Sequence, residues 1–200
     1  MQREIEAKFL NIDHSQLRTK LQKLGAKCEH PMRLMRRVMF DYPDHRFQKN
    51  NQQQRLRVRD EGDKVTITYK AKNKTDYSHE IETTVGSYND MVNILEAIGL
   101  TTYSFQESKR ETWQYKDVEV VLDEWPWLDT YIEIEGPSEE AIKSVAIDLG
   151  YNWNDAKFGS VDTAYYAQYP GMKNTESIGD LPEVKFNLPV PEYLKKRLTK

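Results

Sequence analysis

Residues 2–9 read QREIEAKF, with Glu4, Glu6 and Lys8 at alternate positions and Ile5, Ala7 and Phe9 between them. Side chains on a β-strand alternate between two faces, so this spacing sends the three charges one way and the apolar residues the other. Alone, such a strand describes no more than a sheet with one wet face. A second stretch, YIEIEG at 131–136, repeats the pattern with Glu133 and Glu135 against Ile132 and Ile134. Paired glutamates at i and i+2 therefore stand on two strands far apart in the chain.

Working outward, the same period of two recurs. RRVMFDYP (36–43), QRLRVRD (54–60), KVTITYKAK (64–72), SHEIETTV (78–85) and ETWQYKDVEVVLDE (111–124) are all rich in β-branched or aromatic residues. Glu61-Gly62-Asp63 reads as a hairpin turn joining two of them. Three segments switch to helical spacing. Residues 13–24 carry Leu17, Leu21 and Leu24, with Asp13 or Ser15 as N-cap and Gly25 as the stop. Residues 87–99 carry Met91, Ile94, Leu95 and Ile98 after a Ser87 cap, and residues 138–150 carry Ile142, Val145 and Leu149 after Ser138. Strands interleaved with three helices predict an α+β fold with a largely antiparallel sheet.

The polar faces of the strands share a theme. They present Glu4, Glu6 and Lys8; Arg55, Arg57 and Arg59; Thr66, Thr68 and Lys70; Glu80 and Glu82; Glu119 and Asp123; and Glu133 and Glu135. Of the neighbours Arg36 and Arg37, only one can share such a face, and the apolar partners of Arg36 on its own parity assign Arg37. Three helices must bury their stripes on the apolar face, which leaves the charged face concave. A closed or nearly closed β-barrel with an ionic interior follows, since closure also removes free strand edges. Like charges facing one another across such a lumen need partners. A polyanion for the basic rows and a divalent cation for the carboxylates supply them.

Composition narrows the options. Charged residues make up 30% of the 200, yet 29 basic and 32 acidic residues nearly cancel, to a net charge of −3. That balance gives no reason to expect a nucleic-acid or membrane surface. The single Cys28 excludes an internal disulfide and a cysteine-based metal cluster. No apolar run approaches the ~18–20 residues of a membrane span, and no signal-like segment opens the chain, so the expected location is cytoplasmic. His14, His30, His45 and His79 show no ligand spacing and are expected at the surface. Trp125 and Trp127 are expected in a packed turn, with stacking on a ligand ring as the alternative.

In this order the residues resemble the CYTH superfamily, the triphosphate tunnel metalloenzymes. The resemblance rests on E-x-E-x-K at Glu4-Ile5-Glu6-Ala7-Lys8, then Arg36-Arg37-Val38-Met39-Phe40-Asp41, Leu56-Arg57-Val58-Arg59, Lys70 and Glu80/Glu82. Lys109-Arg110, Val121-Leu122-Asp123 and Glu133-Ile134-Glu135 complete it. It covers about residues 1–169, leaving 170–200 as a proline-containing extension, either a flexible tail or an arm using Leu188, Val190, Tyr193, Leu194 and Leu198. The resemblance implies an eight-stranded antiparallel tunnel with helices outside, Mg²⁺ or Mn²⁺ as cofactor, and a small-molecule triphosphate as partner; a homodimer is one expected assembly. It implies Glu133, Glu135, Asp123, Glu4 and Glu6 as metal ligands, Glu4 and Glu6 also acting in catalysis. Lys8, Arg37, Arg57, Arg59, Lys70, Arg110 and Lys157 would bind the phosphates. The implied reaction is metal-dependent hydrolysis of tripolyphosphate, a nucleoside triphosphate or thiamine triphosphate. The alternatives are an adenylyl cyclase and a non-catalytic polyphosphate- or nucleotide-binding module. Ser108 and Phe158-Gly159-Ser160-Val161 depart from the family pattern, which bears on the substrate end.

Overall fold

Among the described residues each stretch with period-two alternation contains strand, and each with helical spacing contains a helix. The computed structural model describes residues 5–49, 54–72 and 78–198. In chain order the elements are β1 (Ile5–Leu10), α1 (His14–Lys23), β2 (Lys27–Asp41), α2 (Arg46–Lys49), β3 (Arg55–Asp60), β4 (Val65–Lys72) and β5 (Ser78–Val85). They continue with α3 (Tyr88–Ala97), β6 (Thr101–Tyr115), β7 (Val118–Glu124), β8 (Tyr131–Gly136), α4 (Glu139–Asp148), α5 (Asp162–Gln168), β9 (Glu183–Val184) and α6 (Glu192–Lys195). No helix among the described residues is long and apolar enough to cross a membrane.

The α+β class and the antiparallel sheet are as expected; the barrel differs. Among the described residues pairing follows the order β1-β8-β7-β6-β2-β3-β4-β5, with β9 added to β6, so nine strands lie on an open path and closure into the expected eight-stranded barrel is not seen. The extra strand comes from the proline-containing extension. β9 pairs parallel to β6 through Phe105↔Glu183 and Gln106↔Val184. Two residues carry no readable period, which is why alternation did not reveal it.

The chain forms two units, each with its own core. The first holds residues up to Arg33, Ser108–Ser177 and Phe186–Lys200. Here Ala7, Phe9, Trp113, Val120, Leu122, Ile132 and Ile134 form the apolar side of β1, β8, β7 and the end of β6. Leu17 and Leu21 of α1 and Ile142, Val145 and Ala146 of α4 pack into the same core. The helix starts are fixed by side chains: Asp13 accepts from the Ser15 and Gln16 amides at 2.8 and 3.1 Å, and Ser138 accepts from Ala141 at 3.1 Å. His14 was expected at the surface and is instead buried, its Nε2 2.9 Å from the Tyr131 carbonyl oxygen. Position one of α1 turns it onto the sheet, a placement that ligand spacing could not foresee.

The second unit holds Leu34–Glu107 and Ile178–Lys185. Val38, Phe40 and Val58 form its core with Leu95 of α3 and Leu100. Ser87 caps α3 by accepting from the Asp90 amide at 3.2 Å. Two members of the expected α3 stripe, Ile94 and Ile98, stay 52% and 70% exposed, while the other two, Met91 and Leu95, pack on the core as expected and are joined by Val92. Asp41 is buried and accepts from the amides of Phe47 and Gln48, both at 3.0 Å, which ties down the short α2.

Three further boundaries differ from the sequence reading. Stretch 111–124 is two strands rather than one, turned at Lys116-Asp117, with Lys116 in the left-handed region at φ 56°. β2 and β6 each run to 15 residues, extending before the alternation that marked them. Residues 170–198 are laid down as an arm, with Ile178, Val184 and Leu194 buried and the Trp127 Nε1 donating to the Leu188 carbonyl at 2.8 Å. That bond and the burial of Trp125 place both tryptophans in a packed turn.

Candidate functional site

Strand register in the first unit converts sequence spacing into one acidic–basic face. β1 pairs with β8 so that Lys8 lies opposite Glu133 and Glu6 opposite Glu135. β7 continues the rows with Val121 beside Glu133 and Glu119 beside Glu135, and Asp123 lies opposite Arg110 of β6. Cross-strand partners share a face, so Glu6, Lys8, Arg110, Asp123, Glu133 and Glu135 converge there.

Contacts within this group are close. Lys8 Nζ lies 2.8 Å from Glu6 Oε1 and 3.1 Å from Glu133 Oε1, with only 1% of its side chain exposed. Arg110 grips Asp123 with both arms of its fork, Nε to Oδ1 at 2.8 Å and Nη2 to Oδ2 at 2.5 Å. The same Nη2 reaches Glu133 Oε2 at 2.8 Å, while Nη1 stands 3.9 Å from Glu135 Oε1. Burial works against the Lys8 charge, but Glu133 and Glu6 outweigh it and hold the ammonium above its ordinary value. Burial would also raise the Glu133 carboxyl; Arg110 and Lys8 overcome it and bring it down to about 2. Glu135 goes the other way, pushed up to about 8 by burial and by the charge on Glu133. The two glutamates titrate together, so the pair carries less than two full charges near neutrality.

Glu6, Glu133 and Glu135 each offer a carboxylate oxygen, and these oxygens lie within 4.8 Å of one another. Hard oxygen donors of this kind suit Mg²⁺ or Mn²⁺, which keep some of their waters and share the rest of their shell with phosphate oxygens. Asp123 is not in that set: its oxygens are turned to Arg110 and, at 3.4 Å, to the Tyr131 hydroxyl. Glu4 lies outside the described residues. Lys157 joins through its backbone, exchanging hydrogen bonds with Lys8 at 2.8 and 2.9 Å, and its side chain is exposed.

The other predicted cations lie in the second unit. Register puts Arg37 beside Arg59, Arg57 beside Thr68, and Thr68 beside Glu82, all on one sheet face. Arg36 lies on the opposite face, ion-paired with Asp60 and 5.7 Å from the centre of the Tyr88 ring. Lys70 pairs with Glu80 at 3.0 Å, and Arg57 stands 3.9 Å from both Glu80 and Glu82. Arg59 reaches Glu61 at 2.6 Å, a buried carboxylate that the sequence showed only as a turn residue.

Two buried groups escaped the sequence reading. Tyr131 stands two residues before Glu133, so parity alone places it on the charged face. Glu111 has the opposite parity. It is buried on the helix side, where it accepts from Arg18 at 2.9–3.1 Å and from Trp113 Nε1 at 2.6 Å. A lone glutamate within an aromatic strand carries no signal of such a partner 93 residues away.

Three clustered carboxylates flanked by Lys8 and Arg110 on one sheet face offer donors for a cation and for an anion. The chain belongs to the CYTH domain family, whose sequence profile matches residues 2–156. Among solved structures it is similar to the PH1012 protein of Pyrococcus horikoshii OT3, with 22% identity and a TM-score of 0.62 over 80% of this chain and 99% of that one. It is also similar to a candidate adenylate cyclase from Vibrio parahaemolyticus, with 14% identity and a TM-score of 0.69 over 80% and 96% of the two chains. A third is HpAC1 from Hippeastrum, a candidate adenylyl cyclase described as having a dominant triphosphatase activity. That match has 14% identity and a TM-score of 0.55 over 88% and 99%. These likenesses are of fold. No curated protein sequence matches the chain.

Proposed function

We propose that this chain hydrolyses a triphosphate with the help of a divalent cation, Mg²⁺ or Mn²⁺. Inorganic tripolyphosphate is the first expected substrate, followed by nucleoside triphosphates and thiamine triphosphate. The observation that carries the reading is the Glu6–Glu133–Glu135 cluster, with oxygens within 4.8 Å of one another, set among Lys8 and Arg110. The description of HpAC1 and membership of the CYTH family support it.

Glu6, Glu133 and Glu135 would hold the cation, with Glu4 sharing the parity of Glu6. Bound there, a divalent ion neutralises charge on phosphoryl oxygens and polarises water. Lys8 keeps the carboxylates of Glu6 and Glu133 together, and its own positive charge favours an incoming anion. Glu6, with 43% of its side chain exposed, is the cluster member best placed to orient the attacking water and accept its proton. The water oxygen bonds to the terminal phosphorus, the bridging P–O bond breaks, and the shortened phosphate leaves. Lys8 and Arg110, beside the cluster, are assigned to the phosphate oxygens, where fixed positive charge offsets the charge that develops. Arg37, Arg57, Arg59, Lys70 and Lys157 are assigned to phosphate binding by the family resemblance alone. The long Arg57 pairs, at 3.9 Å to half-exposed carboxylates, are worth about 0–1 kcal/mol and open readily for a phosphate.

The test is product resolution. Purified protein is incubated with tripolyphosphate, ATP and thiamine triphosphate, with Mg²⁺, Mn²⁺ or EDTA. Orthophosphate released only with the cation is the expected result. Cyclic AMP and pyrophosphate from ATP would replace hydrolysis by cyclisation, and binding without turnover would reduce the chain to a binding module.

A further inference from the structure

Glu61 stands just past the end of β3, two residues after Arg59, and reads in the sequence as part of a turn. The structure buries it, with only 5% of its side chain exposed, against a face dense in positive charge. Arg37 lies directly opposite Arg59 on that face, and Arg57 shares their parity. Like charges placed opposite each other repel, which suits the face to an anion.

A guanidinium has five N–H donors in a fixed plane. On Arg59 one edge is already taken, since Nε and Nη2 both meet Glu61 Oε1, at 2.9 and 2.6 Å. Among the described residues Nη1 has no hydrogen-bond partner, and Nη2 is 4.0 Å from Glu82 Oε2, beyond hydrogen-bonding distance. The Nη1–Nη2 end therefore keeps the paired donors that phosphate oxygens accept.

Glu61 is itself held in place. Its amide donates to the Lys64 carbonyl at 2.8 Å, closing the turn between β3 and β4, and the Thr66 hydroxyl lies 3.5 Å from the same Oε1. Pairing with a cation does not by itself separate an anchor from a metal ligand, but here the neighbours do. Arg59, Thr66 and Lys64, whose Nζ is 3.8 Å from Oε2, are all donors. Among the described residues Glu61 joins no group of three or more side chains able to share an ion.

We infer that Glu61 is a positioning residue: it holds the Nε edge of Arg59 so that the Nη1–Nη2 end is presented to a phosphate of the substrate. This deepens the proposed function and rests on it. Without Glu61 the guanidinium is free to turn, and a bound phosphate loses its two-point contact. Once Arg59 is gone, the loss of Glu61 should be silent.

Calorimetric titration of the full chain with tripolyphosphate in Mn²⁺, and with Mn²⁺ alone, compares wild type, E61A, E61Q, R59Q and R59Q/E61A. E61A should bind tripolyphosphate at least about tenfold more weakly, as expected of a misplaced binding group, with Mn²⁺ affinity within about threefold of wild type. E61Q keeps an acceptor oxygen at the same reach and should regain at least about threefold over E61A. R59Q and R59Q/E61A should bind both probes within about twofold of each other, because the interaction is absent from both. That comparison stands even if E61A alone, which strands a guanidinium, does not fold. E61A equal to wild type, E61Q no better than E61A, or a further loss of about tenfold from R59Q to R59Q/E61A would overturn the inference. If that further loss is in Mn²⁺ affinity, Glu61 is a ligand. Wild type that binds no tripolyphosphate would overturn the proposed function itself, a result distinct from these.

Discussion

Replacing Glu133 by glutamine separates the structural work of this residue from its chemical work. Its carboxylate takes Lys8 at 3.1 Å and Arg110 at 2.8 Å. Glutamine keeps the shape and one acceptor, so one charge-assisted contact is lost and the other weakened, each worth about 1.5–3 kcal/mol. Neither cation is stranded, since Lys8 keeps Glu6 at 2.8 Å and Arg110 keeps Asp123. Part of the loss returns because Glu135, freed from the charge of Glu133, ionises more easily. The net cost should be about 1–3 kcal/mol at pH 7, lowering Tm by roughly 2–12 °C at about 2–4 °C per kcal/mol for a chain of this size. The pH dependence has a definite sign. Glu133 titrates at about 2 in the folded protein against an ordinary 4.5, so its stabilisation is complete above 4.5 and fades as pH falls towards 2. The gap between wild type and E133Q should close across that window. Turnover should fall more steeply than stability, by at least ~100-fold, because one of three clustered carboxylates is gone. Thermal denaturation with orthophosphate release on the same samples reads both. A folded E133Q with full cation-dependent turnover would refute the metal assignment, and a Tm gap between wild type and E133Q that stays constant from pH 5 down to about pH 2 would refute the ion-pair geometry.

Other outcomes follow from single contacts. Arg57→Ala should raise the tripolyphosphate Kd about tenfold or more by titration, because a guanidinium makes two-point contacts to phosphate oxygens that alanine cannot replace. Leu194→Ala, at a fully buried position of the arm, should cost about 2–5 kcal/mol by chemical denaturation. Ser138→Ala should cost about 0.5–2 kcal/mol through the lost cap of α4, with turnover unchanged.

The charged face was legible because strand parity is a property of the backbone. Glu6 with Lys8, Arg57 with Arg59, and Glu133 with Glu135 needed only a period of two. Ser87 and Ser138 were legible as caps because a cap acts on amides three residues away. Features set by distant partners were not. The burial of His14 depends on a carbonyl 117 positions on, Glu111 depends on Arg18, and β9 depends on the bare edge of β6 at Phe105. The turn at Lys116 was hidden because it uses neither glycine nor asparagine for its positive φ. Ile94 and Ile98 follow helical spacing on α3 yet face outward, since a stripe wider than the strip of sheet beneath it leaves its margin exposed.

The most direct test of the account is a crystal of the full chain soaked with Mn²⁺ and a non-hydrolysable triphosphate, measured for anomalous scattering. The account predicts a Mn²⁺ peak among the carboxylates of Glu6, Glu133 and Glu135, with Arg110 turned to a phosphate oxygen. A peak elsewhere, or none in crystals of a protein that turns over tripolyphosphate with Mn²⁺, would contradict it.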